Sequence, residues 1–144
     1  MKTTDDKLTI FYVDDDIDDL FFFEETLKKI GTEHELHTSR DGFELLHLLE
    51  APPPHPHLIF VDLNMPVMDG FEVLDRICNR AEKKPAPVVV FTTSRDRETA
   101  LRCKDLGADM FVSKPEDFLA MEKVLSGLLA TNWNDPSSYK FHFQ

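Results

Sequence analysis

The sequence predicts an α/β protein, a single parallel sheet of five strands with helices on both faces, and three observations carry that expectation. Short apolar runs alternate with stretches whose apolar residues recur every three or four positions, so strand and helix succeed one another through five βα units. The runs are apolar throughout rather than at every second position, the pattern of strands covered on both faces. A chain of 144 residues, free of internal repeats and long low-complexity segments, can bury about two-thirds of its unfolded surface around one core.

Ile10 to Val13 is the first run, and it ends abruptly in acids. Ile17, Leu20, Phe23, Leu27 and Ile30 then fall at helical spacing, with Gly31 where a helix closes in the left-handed conformation. Glu35 to Thr38 is a weaker strand. In "SRDGFELLHLLEA" small polar caps precede Phe43, Leu45, Leu46, Leu48 and Leu49, a second helix. The linker "PPPHPH", residues 52 to 57, cannot continue it, because proline lacks the amide donor and restricts its predecessor. His55 and His57 there are expected to be solvated. The alternation resumes with a strand from Leu58 to Val61, a helix from Gly70 to about Glu82, a strand from Val88 to Phe91 and a helix from about Arg97 to Leu106, stopped by Gly107. Met110 to Ser113 is the fifth strand, and Asp117 to about Ala130 the last helix, with Phe118, Met121, Val124, Leu125 and Leu128 on one stripe.

Residues 1–130 are thus expected to form the domain and 131–144 a tail, "TNWNDPSSYKFHFQ". Trp133 should anchor that tail on the last helix. Tyr139, Phe141 and Phe143 alternate, and should either fold back over the core or meet a second copy in a homodimer.

Lys and Arg number 16 and Asp and Glu 27, a formal charge of −11, which argues against general binding to nucleic acid or anionic membrane and for a cation or a basic partner. Cys78 and Cys103 stand far apart with no CxxC and no histidine at ligand spacing, as reduced core thiols do. No basic-then-apolar leader opens the chain and no apolar run approaches the roughly 18 residues of a membrane span, so a cytoplasmic location is expected.

The chemistry gathers where strands end. "FYVDD" delivers Asp14 and Asp15, "IFVD" Asp62, "VVFTT" Thr92 and Thr93, and "MFVSKP" Lys114, all at the carboxyl edge where open parallel sheets bind ligands. Carboxylates packed together raise one another's pKa unless a cation satisfies them, and an all-oxygen donor set suits a hard divalent ion such as Mg²⁺. Asp16, Asp18 and Asp19 fall at the start of the first helix, where negative charge complements the dipole.

Through "VDDD" (13 to 16), "FVDLNMPVMDG" (60 to 70), "VVVFTTS" (88 to 94) and "GADMFVSKP" (107 to 115), the chain resembles the receiver domains of bacterial two-component response regulators. The resemblance spans about residues 8 to 130, is most specific at "DLNMPVMDG", and points to members of the chemotaxis, phytochrome-partner and phosphorelay types. It implies a flavodoxin-like sheet of order 2-1-3-4-5. By position it implies that Asp62 accepts a phosphoryl group from a partner histidine, on a histidine kinase or a histidine phosphotransfer protein. Mg²⁺, with Mn²⁺ able to substitute, would be held directly by Asp15 and Asp62, through water by Asp14, and by the backbone carbonyl of Asn64. Lys114 would neutralise phosphoryl charge, Thr92 would bond the phosphoryl group, and the switch aromatic Phe111 would rotate inward after it.

Glu116 departs from the family pattern, adding negative charge after Lys-Pro, while Asn64 and Ser94 occupy positions that tune acyl-phosphate hydrolysis in the family. With no basic recognition helix in sight, output is expected through contacts with an unknown target protein. A phosphorelay carrier is the alternative within the family. A metal-dependent phosphatase is a competing class, but "DLN" sets no second carboxylate two residues beyond Asp62 to act as general acid. A flavin carrier would need a Gly- or Ser-rich phosphate loop after the first strand, and there is none. Finally, with the first helix's apolar stripe centred between Leu20 and Leu27, Phe22 should be exposed; the resemblance implies that this face of the helix and the residues after Lys-Pro dock the histidine-bearing partner, with Phe22, Pro115 and Phe118 as an apolar rim.

Overall fold

The structure, a computed structural model, describes residues 7–31, 33–51, 53–80 and 82–135. Five strands, β1 (Thr9–Val13), β2 (Glu35–Ser39), β3 (Leu58–Val61), β4 (Val88–Thr92) and β5 (Met110–Ser113), alternate with helices α1 (Ile17–Ile30), α2 (Gly42–Glu50), α3 (Gly70–Cys78), α4 (Arg97–Leu106) and α5 (Phe118–Ala130). All strand pairs are parallel and the order is β2-β1-β3-β4-β5. No helix among the described residues is long and apolar enough to cross a membrane.

Successive side chains of a strand point to opposite faces, and here both faces are covered. Phe11, Val13, Ile59, Val61, Val88 and Val90 pack with Leu45 of α2, Val73, Leu74 and Ile77 of α3, and Ala100 and Cys103 of α4. Ile10, Tyr12, Leu58, Phe60, Val89 and Phe91 pack with Leu20, Phe23 and Leu27 of α1 and Met121, Leu125 and Leu128 of α5. Hence β3 and β4 are buried at every residue, whereas the edge strand β2 has only Ser39 buried, which is why its sequence signal is weak. The ring of Phe23 is the hub of the second core, with centroids 4.5 Å from Tyr12, 5.0 Å from Phe60 and 5.8 Å from Phe91.

Each helix opens on an aspartate whose carboxylate accepts a first-turn backbone N–H: Asp16, Asp41, Asp69, Asp96 and Asp117. Helix α3 is shorter than its sequence suggests, ending at Cys78 rather than near Glu82. The Asn79 amide donates to Leu106 O at 3.0 Å, fastening the chain to the end of α4, and Lys84 then turns in to Gly107 O (3.0 Å) and Asp109 (2.7 Å). These contacts are worth more to the backbone than another helical turn of "RAEKK", which has no apolar stripe to bury.

Phe22 corrects an expectation. It is half-buried, its ring edge-on to Phe118 at 5.2 Å, while Phe21 is 61% exposed and Ile17 57%. The buried residues of α1 are Leu20, Phe23, Thr26 and Leu27, so its inner face centres near Phe23 rather than between Leu20 and Leu27. At about 100° per residue that shift carries Phe22 to the edge of the stripe and Phe21 to its far side.

His57 is tied to the start of β1, its Nδ1 accepting from Thr9 N (2.9 Å) and its own backbone N–H donating to Thr9 O (2.7 Å). The indole Nε1 of Trp133 donates to Leu128 O at 2.8 Å, holding the start of the tail against α5. Tyr139, Phe141 and Phe143 lie outside the described residues. Both cysteines are free, and burial raises Cys78 to about 11 and Cys103 to about 12, so neither is an activated thiol.

Candidate functional site

The parallel ladders run one residue past the strands. Asp14 N donates to Ser39 O (3.0 Å), Asp62 N to Val13 O (3.1 Å) and Lys114 N to Thr92 O (2.7 Å). These rungs fix the backbone of β1, β3 and β5 at a common level, so side chains from distant parts of the sequence meet at the carboxyl edge of the sheet. One oxygen each of Asp14, Asp15 and Asp62 lie within 4.8 Å of one another, with Asp14 and Asp62 buried and Asp15 half-buried.

Asp14 is held on three sides. Its Oδ2 accepts from the Tyr12 hydroxyl at 2.6 Å and from Lys114 Nζ at 2.7 Å, and its Oδ1 accepts from Asp16 N at 3.0 Å. Lys114, its side chain only 8% exposed, also donates to Asp19 at 2.7 Å and stands 3.4 Å from Asp62. Burial alone would depress this ammonium, but the bonds to Asp14 and Asp19 and the charges of Asp62 and Asp14 outweigh it and hold its pKa above the usual lysine range. Tyr12 is held far from ionisation, first by burial and then by the Asp14 charge and hydrogen bond.

Asp62 carries the imbalance. Burial raises its carboxyl, Lys114 lowers it, and Asp14 and Asp15 raise it again, leaving it at about 7. Three carboxylates, Asp14, Asp15 and Asp62, crowd together, and the one ammonium that reaches two of them, Lys114, is already shared with Asp19. The donor set therefore fits a hard divalent cation: it is all oxygen, two of its members are buried, and its net charge is uncompensated.

The loop from Leu63 to Asp69 shapes the surroundings of Asp62. Gly70 N donates to Leu63 O at 2.9 Å, and a Cβ on Gly70 would collide with the carbonyl of Asp62 and the Cα of Leu63, so α3 can start this close to Asp62 only from a glycine. Within the loop Met65 and Met68 are buried, while Val67 is 91% exposed at φ 68°, with Met68 N donating to Pro66 O across it at 2.8 Å. A β-branched residue is strained in that region of backbone space. Asn64 is exposed two residues beyond Asp62.

Thr92 is fully buried at the end of β4, its Oγ1 accepting from Ser94 N at 3.4 Å, and Ser94 O in turn accepts from the Ser113 hydroxyl at 2.9 Å. Phe111 is 0% exposed and belongs to the first core. The expected inward rotation has no starting point in this state, because the ring is already packed inside, in one cluster with Val90, Ala100 and Ala108. At the rim, Pro115 is half-buried, Phe118 is 44% exposed with Lys29 Nζ 4.9 Å from its ring centroid, and Leu119 is 77% exposed.

Two further residues join this site in three dimensions. Tyr12 carries a sequence signal: a phenol in the otherwise hydrocarbon run Ile10 to Val13, two positions before an acid and so on the same side of the strand. Asp19 carries none beyond its place in the first turn of α1, since its partner Lys114 comes from the end of β5, 95 positions away.

The family described as response regulator receiver domain matches residues 10–126 of the chain. Response regulator Rcp1 of Synechocystis sp. is 32% identical over 124 residues, covering 83% of this chain and 84% of its own. Among solved structures, the Mn²⁺-bound form of response regulator Rcp1 superposes with a TM-score of 0.75 at 31% identity, covering 86% of this chain and 96% of that one. The phosphorylated cyanobacterial phytochrome response regulator RcpA superposes with a TM-score of 0.77 at 30% identity, covering 90% and 96%.

Proposed function

Because the chain belongs to the response regulator receiver domain family, we propose that Asp62 accepts a phosphoryl group from a partner histidine in a Mg²⁺-dependent reaction and that the phosphorylated chain signals through protein contacts. The observation that carries this reading is the seating of Asp62, 4% exposed, between the Asp14–Asp15 pair and the Lys114 ammonium 3.4 Å away.

An Asp62 oxygen attacks phosphorus, the new P–O bond forming as the P–N bond to the donor histidine breaks and the imidazole leaves with the electron pair. Asp15 and Asp62 would hold the cation directly, Asp14 through water, and the backbone carbonyl of Asn64 would complete the protein's share. Mn²⁺ fits the same oxygens. When bound, the cation supplies charge neutralisation to the transferring group. Lys114 presents its remaining N–H toward Asp62, where a phosphoryl oxygen arrives, and its burial keeps water from screening that charge.

Thr92 donates its hydroxyl to the bound phosphoryl group. A shift of the Thr92 side chain toward that group draws its Oγ1 away from Ser94 N, and Ser94 O accepts from the Ser113 hydroxyl, so the loop after β4 and the end of β5 respond together. Phe111 responds from inside the core rather than entering it.

The donor is a histidine kinase or a histidine phosphotransfer protein, engaging the exposed rings of Phe21 and Phe118 and half-buried Pro115. Incubation with acetyl phosphate and Mg²⁺ should add one phosphoryl group to the wild-type chain and none to Asp62→Asn, read by intact mass. Equal labelling of the variant would remove Asp62 from this role.

A further inference from the structure

Lys114 has three N–H donors, and the structure shows where they go. Two make short bonds of 2.7 Å to Asp14 and Asp19, and the contact to Asp62 is longer, 3.4 Å. Asp14 is held in addition by the Tyr12 hydroxyl and the backbone N–H of Asp16. Asp19 sits on the first turn of α1 with its side chain 34% exposed, pulling the ammonium toward that helix. With Lys114 only 8% exposed, solvent is a poor substitute partner, and the carboxylate of Asp62 is the acceptor left within reach.

We infer that Asp19 is a positioning residue that draws the Lys114 ammonium away from Asp62 and so leaves the acceptor carboxylate open to a divalent cation. The inference rests on the reading of Asp62 and the acid pair given above. Without Asp19, the second donor of Lys114 turns to Asp62 and closes a tight ion pair there. A cation must then displace a buried ammonium from the oxygen it needs. With Asp19, the ammonium is satisfied elsewhere, lies within reach of an arriving phosphoryl oxygen, and leaves Asp62 under-compensated. Loss of charge at position 19 also weakens cation binding through space, and Asp18 separates the two effects. It carries the same charge one residue earlier in the same turn, is exposed, and makes no ion pair with Lys114.

The experiment is calorimetric titration of the whole chain with Mg²⁺ alone, for wild type, Asp19→Asn and Asp18→Asn, each also in a Lys114→Met background, with urea melts to establish that every variant is folded at the titration temperature. Asp19→Asn should weaken Mg²⁺ binding by about fivefold or more and Asp18→Asn by less than about twofold, while in the Lys114→Met background the Asp19 effect should shrink to that of Asp18, the signature of coupling through the lysine. Equal losses for the two aspartates, or an Asp19 effect undiminished without Lys114, would overturn the inference and leave the phosphoacceptor reading standing. Failure of the wild-type chain to bind Mg²⁺ would overturn both.

Discussion

Asp62 combines deep burial with an elevated pKa, and the two together set a pH dependence. In metal-free protein its carboxyl titrates near 7 in the folded chain and near its ordinary 3.8 when unfolded, so between about pH 4 and 7 the folded state holds the extra proton. Stability from this group is complete below about pH 4, falls as pH rises through the window and levels above about 7. Urea melts in the presence of a chelator should show that decline in the wild type and a shallower one in Asp62→Asn; parallel slopes would count against a raised Asp62 pKa. Val67 is the other residue with a consequence of its own. Its φ of 68° is costly for a β-branched side chain, and at 91% exposure the side chain contributes little packing in return. Val67→Gly should raise stability by about 1 kcal/mol, less whatever the added freedom of the unfolded chain takes back, seen as a higher melting temperature.

At the level of the element, α1 separates what the sequence makes legible from what it hides. Its ends are plain: Asp16 caps it, Gly31 closes it at φ 82°, and the acids of its first turn match the dipole. The rotation of its buried face is not, because Ile17 fits the apolar spacing although it is 57% exposed, and Thr26 is polar yet buried, its hydroxyl satisfied by Phe22 O at 2.8 Å. A local hydrogen bond of that kind is invisible to a count of apolar residues. Phe21→Ala should slow phosphotransfer from the cognate histidine protein by about tenfold, ~1.4 kcal/mol, with labelling by acetyl phosphate and the melting temperature nearly unchanged. Phe22→Ala should lower the melting temperature through the lost Phe118 contact. Equal slowing with both donors in the Phe21 variant would assign that ring to the fold or the site rather than to the partner. Helix α3 teaches the same lesson, since its early end depends on contacts with the end of α4 and the approach to β5 rather than on its own sequence.

For the whole molecule, the alternation of strands and helices is legible in the apolar runs because two-faced burial leaves no polar position inside β3 and only the terminal Thr92 in β4. The residues at the strand ends are legible for the same reason: Asp14, Asp62, Thr92 and Lys114 stand where runs that exclude polar groups give way, and the ladder brings them to one edge. The strand order comes only with the resemblance, since nothing in a run of valines says which neighbour it pairs with. The pairing of Asp19 with Lys114 comes only with the three-dimensional structure.

Tyr12 has an optical consequence. Its phenol donates at 2.6 Å to the buried Asp14 carboxylate, packed among Phe23, Phe60 and Phe91 in an asymmetric apolar setting. A phenol so placed has a strong, environment-dependent near-ultraviolet dichroism, and anything that redistributes charge on Asp14 alters it. The indole of Trp133 lines a cavity at the other end of the sheet, where the strands begin, together with Leu8, His57 and Pro87. In a Tyr139→Phe background the chain thus keeps one phenol, wired to the acid pair, and one indole, remote from it, so the tyrosine signal can track cation loading and phosphorylation while the tryptophan serves as its internal blank, without a dye or label.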